Sequence, residues 1–314
     1  MILRLAHAEL GVTDLEQARM FYVDLLGFQV YQHDGQSLYL RAAEEFDVWS
    51  LKLTQASSAG LLHMAFRVDT PDELERLEAL HRKANLAYRR VPAGMEPGQG
   101  QALRVYSPDG HPIEFFHEFE EVNVYETGGL VRLPMRTTHV QHGLPPQRID
   151  HVNLRVIDPE ASLTYWRDQL AFSVSEYYVD SEGRPFTVWM RRSTSSHDVA
   201  LGRYSQAATH HVAYLVDSPL SVMRTADLMA DARLPHLIDF GPGRHGVSNA
   251  FYCYVRDPFG NRIEIFASDY QRDLDRPPIR WSLPDYQKQG LVWWSQEVPA
   301  RFREVTPILP GDWA

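Results

Sequence analysis

Two histidines and a glutamate recur at matching places in the two halves of this 314-residue chain. In the second half they are His151, His211 and Glu264; in the first, His7, His63 and Glu114. Two imidazoles and one carboxylate are the donor set of a divalent ion that keeps open coordination positions, enough for a small substrate and a gas molecule together. A lone histidine is more often structural than ligating. The trio counts because a repeat frames all three members. Pro108-Asp-Gly-His-Pro-Ile-Glu-Phe-Phe116 recurs as Pro258-Phe-Gly-Asn-Arg-Ile-Glu-Ile-Phe266, 150 positions on (258 − 108). His63 to Asp69 matches His211 to Asp217 at 148 (211 − 63). Val23 to Phe28 matches Arg167 to Phe172 at 144 (167 − 23), which also sets His7 opposite His151.

On ligand types the halves tie; their surroundings differ. The second half adds His197, His245 and Tyr254, three groups able to carry or hold a proton. In the repeat frame these fall opposite Phe46, Met95 and Arg104. The first half therefore has potential ligands without proton-transfer groups and reads as a duplicate without catalytic metal. His210-His211 is ambiguous, since either could ligate. Alignment with His63 points to His211, and adjacent strand residues face opposite ways, so only one should enter a concave face.

The elements that must position these groups follow the same repeat. Ile149 to Val156 alternates: Ile149, His151 and Asn153 share one face, Val152, Leu154 and Val156 the other. Helices should start at Thr13-Asp-Leu-Glu16, which has capping-box spacing, and at Asp158-Pro159. They should end near Gly27 and Ala171. Strands are expected at Ser37–Arg41, Ser50–Leu53, Thr187–Arg191 and Val199–Gly202, and second helices at Pro71–Lys83 and Ser218–Ala232. A hairpin closes each half, around Asp109-Gly110 and Phe259-Gly260. In the last strand Glu264 and Phe266 oppose Ile263 and Ile265. The expected fold is α+β: two duplicated domains, each a pair of βαβββ modules forming a cupped mixed sheet. The expected division is residues 1–124, a linker at 125–147, a metal-binding domain at 148–270 and a tail at 271–314 that covers the site or a neighbouring subunit.

Composition narrows the classes. With 44% hydrophobic and 23% charged residues the chain can bury a real core. A net charge of −10 gives no electrostatic reason for a nucleic-acid partner. No apolar run reaches the length of a membrane span, and no signal peptide is seen, so a cytoplasmic protein is expected. Cys253 is the only cysteine, so any metal must be held by imidazole and carboxylate. Cys253 should face the core. His33, His81, His111, His117, His139, His142 and His236 are expected to be structural or on the surface.

The order His151-Val-Asn153, Ser196-His-Asp198, His210-His-Val212, Gly241-Pro-Gly-Arg-His-Gly246, Tyr254 and Asp257-Pro-Phe-Gly-Asn-Arg-Ile-Glu264 resembles the type I extradiol ring-cleaving dioxygenases of the vicinal oxygen chelate superfamily. The nearest branches are catechol 2,3-dioxygenase and homoprotocatechuate 2,3-dioxygenase. The resemblance spans nearly the whole chain. It implies Fe(II), with Mn(II) as the alternative, at His151, His211 and Glu264. It implies His197 as the acid/base, and His245 and Tyr254 as hydrogen-bonding partners of the reacting oxygens. Asn153 and Trp189 become pocket residues. It also implies a catechol and O2 as the small-molecule partners and a homotetramer. Two departures bear on the substrate. The homoprotocatechuate branch has an arginine where Phe240 stands, and an arginine pair where this chain has Gln287-Lys288-Gln289. Losing guanidinium groups weakens the case for a carboxylate-bearing substrate, although Lys288 could supply one charge. The expectation is a catechol or alkylcatechol, with 3,4-dihydroxyphenylacetate as the alternative. A non-oxidative, glyoxalase-like metal isomerase and a metal-free binding protein are the rival functions.

Overall fold

The computed structural model describes residues 1–122, 143–271, 273 and 275–311. His139, His142, most of the expected linker and the last three residues lie outside them. The first half forms β1 (Ile2–Val12), β2 (Gln29–His33), β3 (Ser37–Arg41), β4 (Leu51–Gln55), β5 (Gly60–Val68), β6 (Tyr88–Val91), β7 (Ala102–Tyr106) and β8 (Pro112–Phe116). They make one mixed sheet in the order β2-β3-β4-β1-β5-β8-β7-β6. The second half repeats this with β9 (Arg148–Val156), β10 (Ser173–Val179), β11 (Pro185–Arg191), β12 (Val199–Arg203), β13 (Ala208–Leu215), β14 (Ile238–Arg244), β15 (Phe251–Arg256) and β16 (Arg262–Ala267). Their order is β10-β11-β12-β9-β13-β16-β15-β14, position for position that of the first sheet. The tail adds β17 (Ile279–Trp281) parallel to the β10 edge.

The helices start where polar caps precede an apolar stripe. α1 (Leu15–Arg19) runs on through Met20–Leu25. Its cap is Asp14, whose carboxylate accepts from the Gln17 N–H; the expected capping box assigned that place to Thr13. α2 (Pro71–Lys83) and α4 (Pro219–Asp231) begin with proline in the first turn, as does α3 (Pro159–Leu163), capped by Asp158. The helices cover the convex faces. There the halves share a core: Phe66 packs edge-on to Phe172 and Trp166, and Phe28 to Tyr214. Cys253 lies in this core, and burial pushes its thiol up to about 12. His81 and His111 are buried and hydrogen-bonded to backbone carbonyls, so they are structural. Among the described residues, no helix is long and apolar enough to cross a membrane.

Two β-bulges alter the expected facing. Ala213 pairs with His151 but Tyr214 with Ile149, so Asp150 is an extra residue on β9. Ile149 therefore turns into the core with Val152 and Leu154, not onto the face of His151 and Asn153 as simple alternation predicts. Likewise Thr209 pairs with Leu154 and His211 with Asn153, which makes His210 the extra residue on β13. Trp166 is fully buried where both halves meet. Trp166→Ala is expected to destabilise the protein by about 3–5 kcal/mol; urea unfolding followed by circular dichroism measures it.

Candidate metal centre

β9, β13 and β16 are neighbours, and their register sets His151, Ala213 and Glu264 in one row across the second sheet. The Ala213 methyl between them leaves room for the two longer side chains to converge. His211, two residues along β13, closes the triangle. His151 Nε2 lies 2.9 Å and His211 Nε2 3.0 Å from Glu264 Oε2, and the two Nε2 atoms are 3.2 Å apart. All three side chains are buried.

The far nitrogens decide what the near ones can do. His210 Nε2 bonds to the Phe302 carbonyl at 2.7 Å, which can only accept. Burial pushes the His210 pKa well down, so the ring is neutral and its Nδ1 is bare. His211 Nδ1, 2.7 Å away, must therefore donate to His210. That leaves the His211 Nε2 lone pair facing Glu264, and burial lowers this ring's pKa to about 3. His151 Nδ1 donates to Asp150 at 2.9 Å. Burial opposes charge on His151, but Asp150 and Glu264 more than offset it and push its pKa up to about 9. A proton and a divalent ion thus compete for His151 Nε2. A carboxylate facing the His211 lone pair and a His151 nitrogen that a metal ion can deprotonate, with its buried Oε1 unpaired, is a donor set that a divalent cation satisfies. The residues fit a divalent metal.

The bulge at His210 corrects the expectation that only one of the paired histidines enters the cup. Both line the cavity, with His211 in the donor triangle and His210 holding its ring. The cavity is about 740 Å³. His197, Asn153, Trp189, His245, Tyr254 and Lys288 line it. The His197 ring lies 3.9 Å from that of His151, and its Nδ1 is 2.7 Å from Ser196 Oγ. Burial, then repulsion from His151, pushes its pKa well down, so it is a neutral base. His245 donates from Nδ1 to the Leu291 carbonyl, which leaves Nε2 to accept from the Tyr254 hydroxyl at 2.9 Å. Burial and the Glu264 charge hold Tyr254 protonated. Phe240 is not on the cavity wall. It pairs with Tyr254 across β14 and β15 and stacks behind its ring at 6.3 Å. Sequence reasoning passed over Arg155, which also lines the cavity. The available signal was its position: fourth after His151 on an alternating strand.

The first-half trio is assembled by the same register, His7-Ala65-Glu114, with His7 and His63 Nε2 3.1 Å apart. Its geometry also admits an ion. Its charges differ. Gln99 donates to one Glu114 oxygen at 2.7 Å and Arg104 to the other at 2.6 Å. Arg104 stands opposite Glu114 where Tyr254 stands opposite Glu264. A guanidinium supplies there the positive charge that the second half lacks.

A scan against protein families matches residues 148–265 to the Glyoxalase/Bleomycin resistance protein/Dioxygenase superfamily and residues 61–120 to the catechol 2,3-dioxygenase-like N-terminal domain. The chain is 31% identical to a metapyrocatechase of Geobacillus stearothermophilus, over 97% of this chain and 96% of that one. It is 30% identical to a manganese-dependent 2,3-dihydroxybiphenyl 1,2-dioxygenase of Geobacillus genomosp. 3, over 95% of each. Among solved structures, homoprotocatechuate 2,3-dioxygenase of Brevibacterium fuscum in complex with 3,4-dihydroxyphenylacetate superposes with a TM-score of 0.90 at 40% identity, covering 98% of this chain and 93% of that one.

Two expectations follow. Glu264→Gln should abolish binding of Fe(II) or Mn(II), whereas Glu114→Gln should leave one ion per chain and cost about 1–3 kcal/mol, because it weakens the charge-assisted bond to Arg104 while Glu96 still pairs with that guanidinium; elemental analysis and thermal melts separate the two. His210→Phe should weaken metal affinity by about 10–100-fold by freeing the His211 ring, measured by chelator competition.

Proposed function

Because the chain belongs to the extradiol ring-cleaving dioxygenases of the glyoxalase/bleomycin resistance protein/dioxygenase superfamily, we propose that it opens a catechol ring beside the diol, using O2, to a 2-hydroxymuconic semialdehyde. The observation that carries this reading is the donor triangle of His151, His211 and Glu264 on the floor of a cavity that also presents His197, His245 and Tyr254. Fe(II) is the proposed ion and Mn(II) the alternative, since both accept two imidazoles and a carboxylate. A bound divalent ion supplies acidity to the diol and a path for electrons between ring and O2.

The chain's own groups manage protons and position. His197 is neutral and so can take a proton from a substrate hydroxyl and return it to the oxygen that leaves when the O–O bond breaks. Tyr254 stays protonated and donates; His245, fixed by the Leu291 carbonyl, accepts from it. The Tyr254 oxygen, its proton given to His245, keeps lone pairs that can accept from a substrate hydroxyl beside Glu264. Trp189 and Asn153 form the wall along which the ring lies.

On the ring substituent, the sequence favoured a catechol or alkylcatechol over 3,4-dihydroxyphenylacetate. Part of that argument was the lack of an arginine at Phe240. Phe240 lies behind Tyr254 and does not set the charge of the cavity, which is lined instead by Arg155, Arg203, Arg303 and Lys288. A homotetramer belongs to the same proposal. Trp293 and Trp294, each 49% exposed, are the apolar surface that supports it.

Protein loaded anaerobically with Fe(II) and then given air should consume O2 stoichiometrically with a catechol and form a yellow ring-opened product. His197→Phe should slow this by about 10²–10⁴-fold while keeping the metal. Turnover of no catechol, or product without O2 uptake, would overturn the reading in favour of an isomerase or a binding protein.

A further inference from the structure

Arg155 is the one cavity-lining cation on the strand of His151 and Asn153, and it has no carboxylate. It follows them at alternate positions of β9, so all three face the cup. Its Nη1 donates to Asn153 Oδ1 at 2.9 Å. Among the described residues, no Asp or Glu lies within ion-pair distance of it, whereas Arg203 is paired with Asp180 at 2.8 Å and Arg262 with Asp239. The seat for this side chain is built in. Gly202 on β12 is its register partner, and a Cβ there would lie 2.1 Å from Arg155 Nη1. The guanidinium occupies the space that the Cβ of any other residue at 202 would need. Burial lowers its pKa to about 10, so it remains charged at neutral pH.

Holding a guanidinium in a part-buried wall without a counter-charge costs free energy unless something else supplies the anion. The metal centre does not. A divalent ion, the Glu264 carboxylate and a singly deprotonated diol sum to zero charge, which leaves Arg155 unbalanced. Its hydrogen bond to Asn153 folds it back towards the floor, and Asn153 is two residues from His151, about 7 Å along the strand. That separation matches the width of one aromatic ring. We propose that Arg155, seated over Gly202, is the specificity-determining residue that holds an anionic substituent, a carboxylate, at the end of the catechol ring away from the diol. Lys288, on the tail segment Tyr286–Gly290, lines the same cavity and adds a further positive charge to it. The proposal rests on the extradiol reading for the placement of the diol.

The test measures binding without O2, so it does not depend on ring cleavage. Metal-loaded protein is titrated anaerobically by calorimetry with 3,4-dihydroxyphenylacetate, 3,4-dihydroxybenzoate and 4-methylcatechol. The wild type should bind at least one of the two carboxylates about 10-fold or more tightly than 4-methylcatechol. Arg155→Met should reduce that ratio by about 10–100-fold, the scale of a charge-assisted hydrogen bond, and Arg155→Lys should restore part of it. Gly202→Ala should reduce the ratio without touching Arg155, which guards against a misfolded Arg155 variant. A wild-type preference for 4-methylcatechol, or equal weakening of charged and neutral ligands in the variants, overturns the proposal. Arg155-dependent binding with no O2 uptake in air would instead sink the extradiol reading and leave this one standing.

Discussion

The structure is organised around an electrostatic conflict. The Glu264 carboxylate is buried with two imidazole nitrogens aimed at it, and those imidazoles are fixed from behind so that their Nε2 atoms face inward. Without a metal a single proton on His151 Nε2 is left to serve both Glu264 and His211; a divalent cation satisfies all three. Everything nearby serves this arrangement. Ala213 is small so that His151 and Glu264 can meet above it, and the bulge at His210 gives His211 a partner for its outer nitrogen. Exclusion of water strengthens each of these interactions, and it also makes the loss of any one of them expensive.

The first half faced the same conflict and resolved it with protein charge. Its register and trio are the same, yet Arg104 and Gln99 occupy both oxygens of Glu114. Lys52 and Arg104 link Glu9, Glu96 and Glu114 in one chain of ion pairs. A covalently tethered cation needs no open coordination position, which is why the proposed chemistry is placed in the other half. One scaffold thus supports two solutions, set mainly by whether the strand beside the glutamate presents tyrosine or arginine.

Much of this was legible in the sequence, because a duplication turns isolated histidines into a pattern. The duplicated α+β architecture, the helices at Pro71–Lys83 and Pro219–Asp231, and the convergence of His151, His211 and Glu264 all follow from periodicity and offset. What escaped depends on local irregularity. A bulge inserts one residue without changing composition, so the inward turn of Ile149 and the joint placement of His210 and His211 could not be read from alternation. Thr13 and Asp14 are both good caps, and only backbone geometry chooses between them. Phe240 was judged by what it replaced, whereas its register opposite Tyr254 puts it behind the cavity wall. Arg155 was visible by position, but its significance needs the absence of a neighbouring carboxylate, a three-dimensional fact.

The C-terminal tail is more than a cover. The carbonyl of Phe302 fixes the His210 proton, and through it the His211 lone pair; the carbonyl of Leu291 does the same for His245. Further along, Thr306 exchanges backbone hydrogen bonds with Thr209 beside that bulge, and Leu309 bonds to Leu61 in the first sheet. At its near end Trp281 donates to Glu176, which also accepts from Ser248 close to His245. The tail thereby joins both sheets through backbone bonds and reaches the site through carbonyls that only accept from a ring nitrogen. Such one-way contacts specify tautomers as well as positions. The catalytic face is therefore completed by a segment outside the repeat, whereas in the duplicated half His63 Nδ1 lies 2.7 Å from the Glu9 carboxylate.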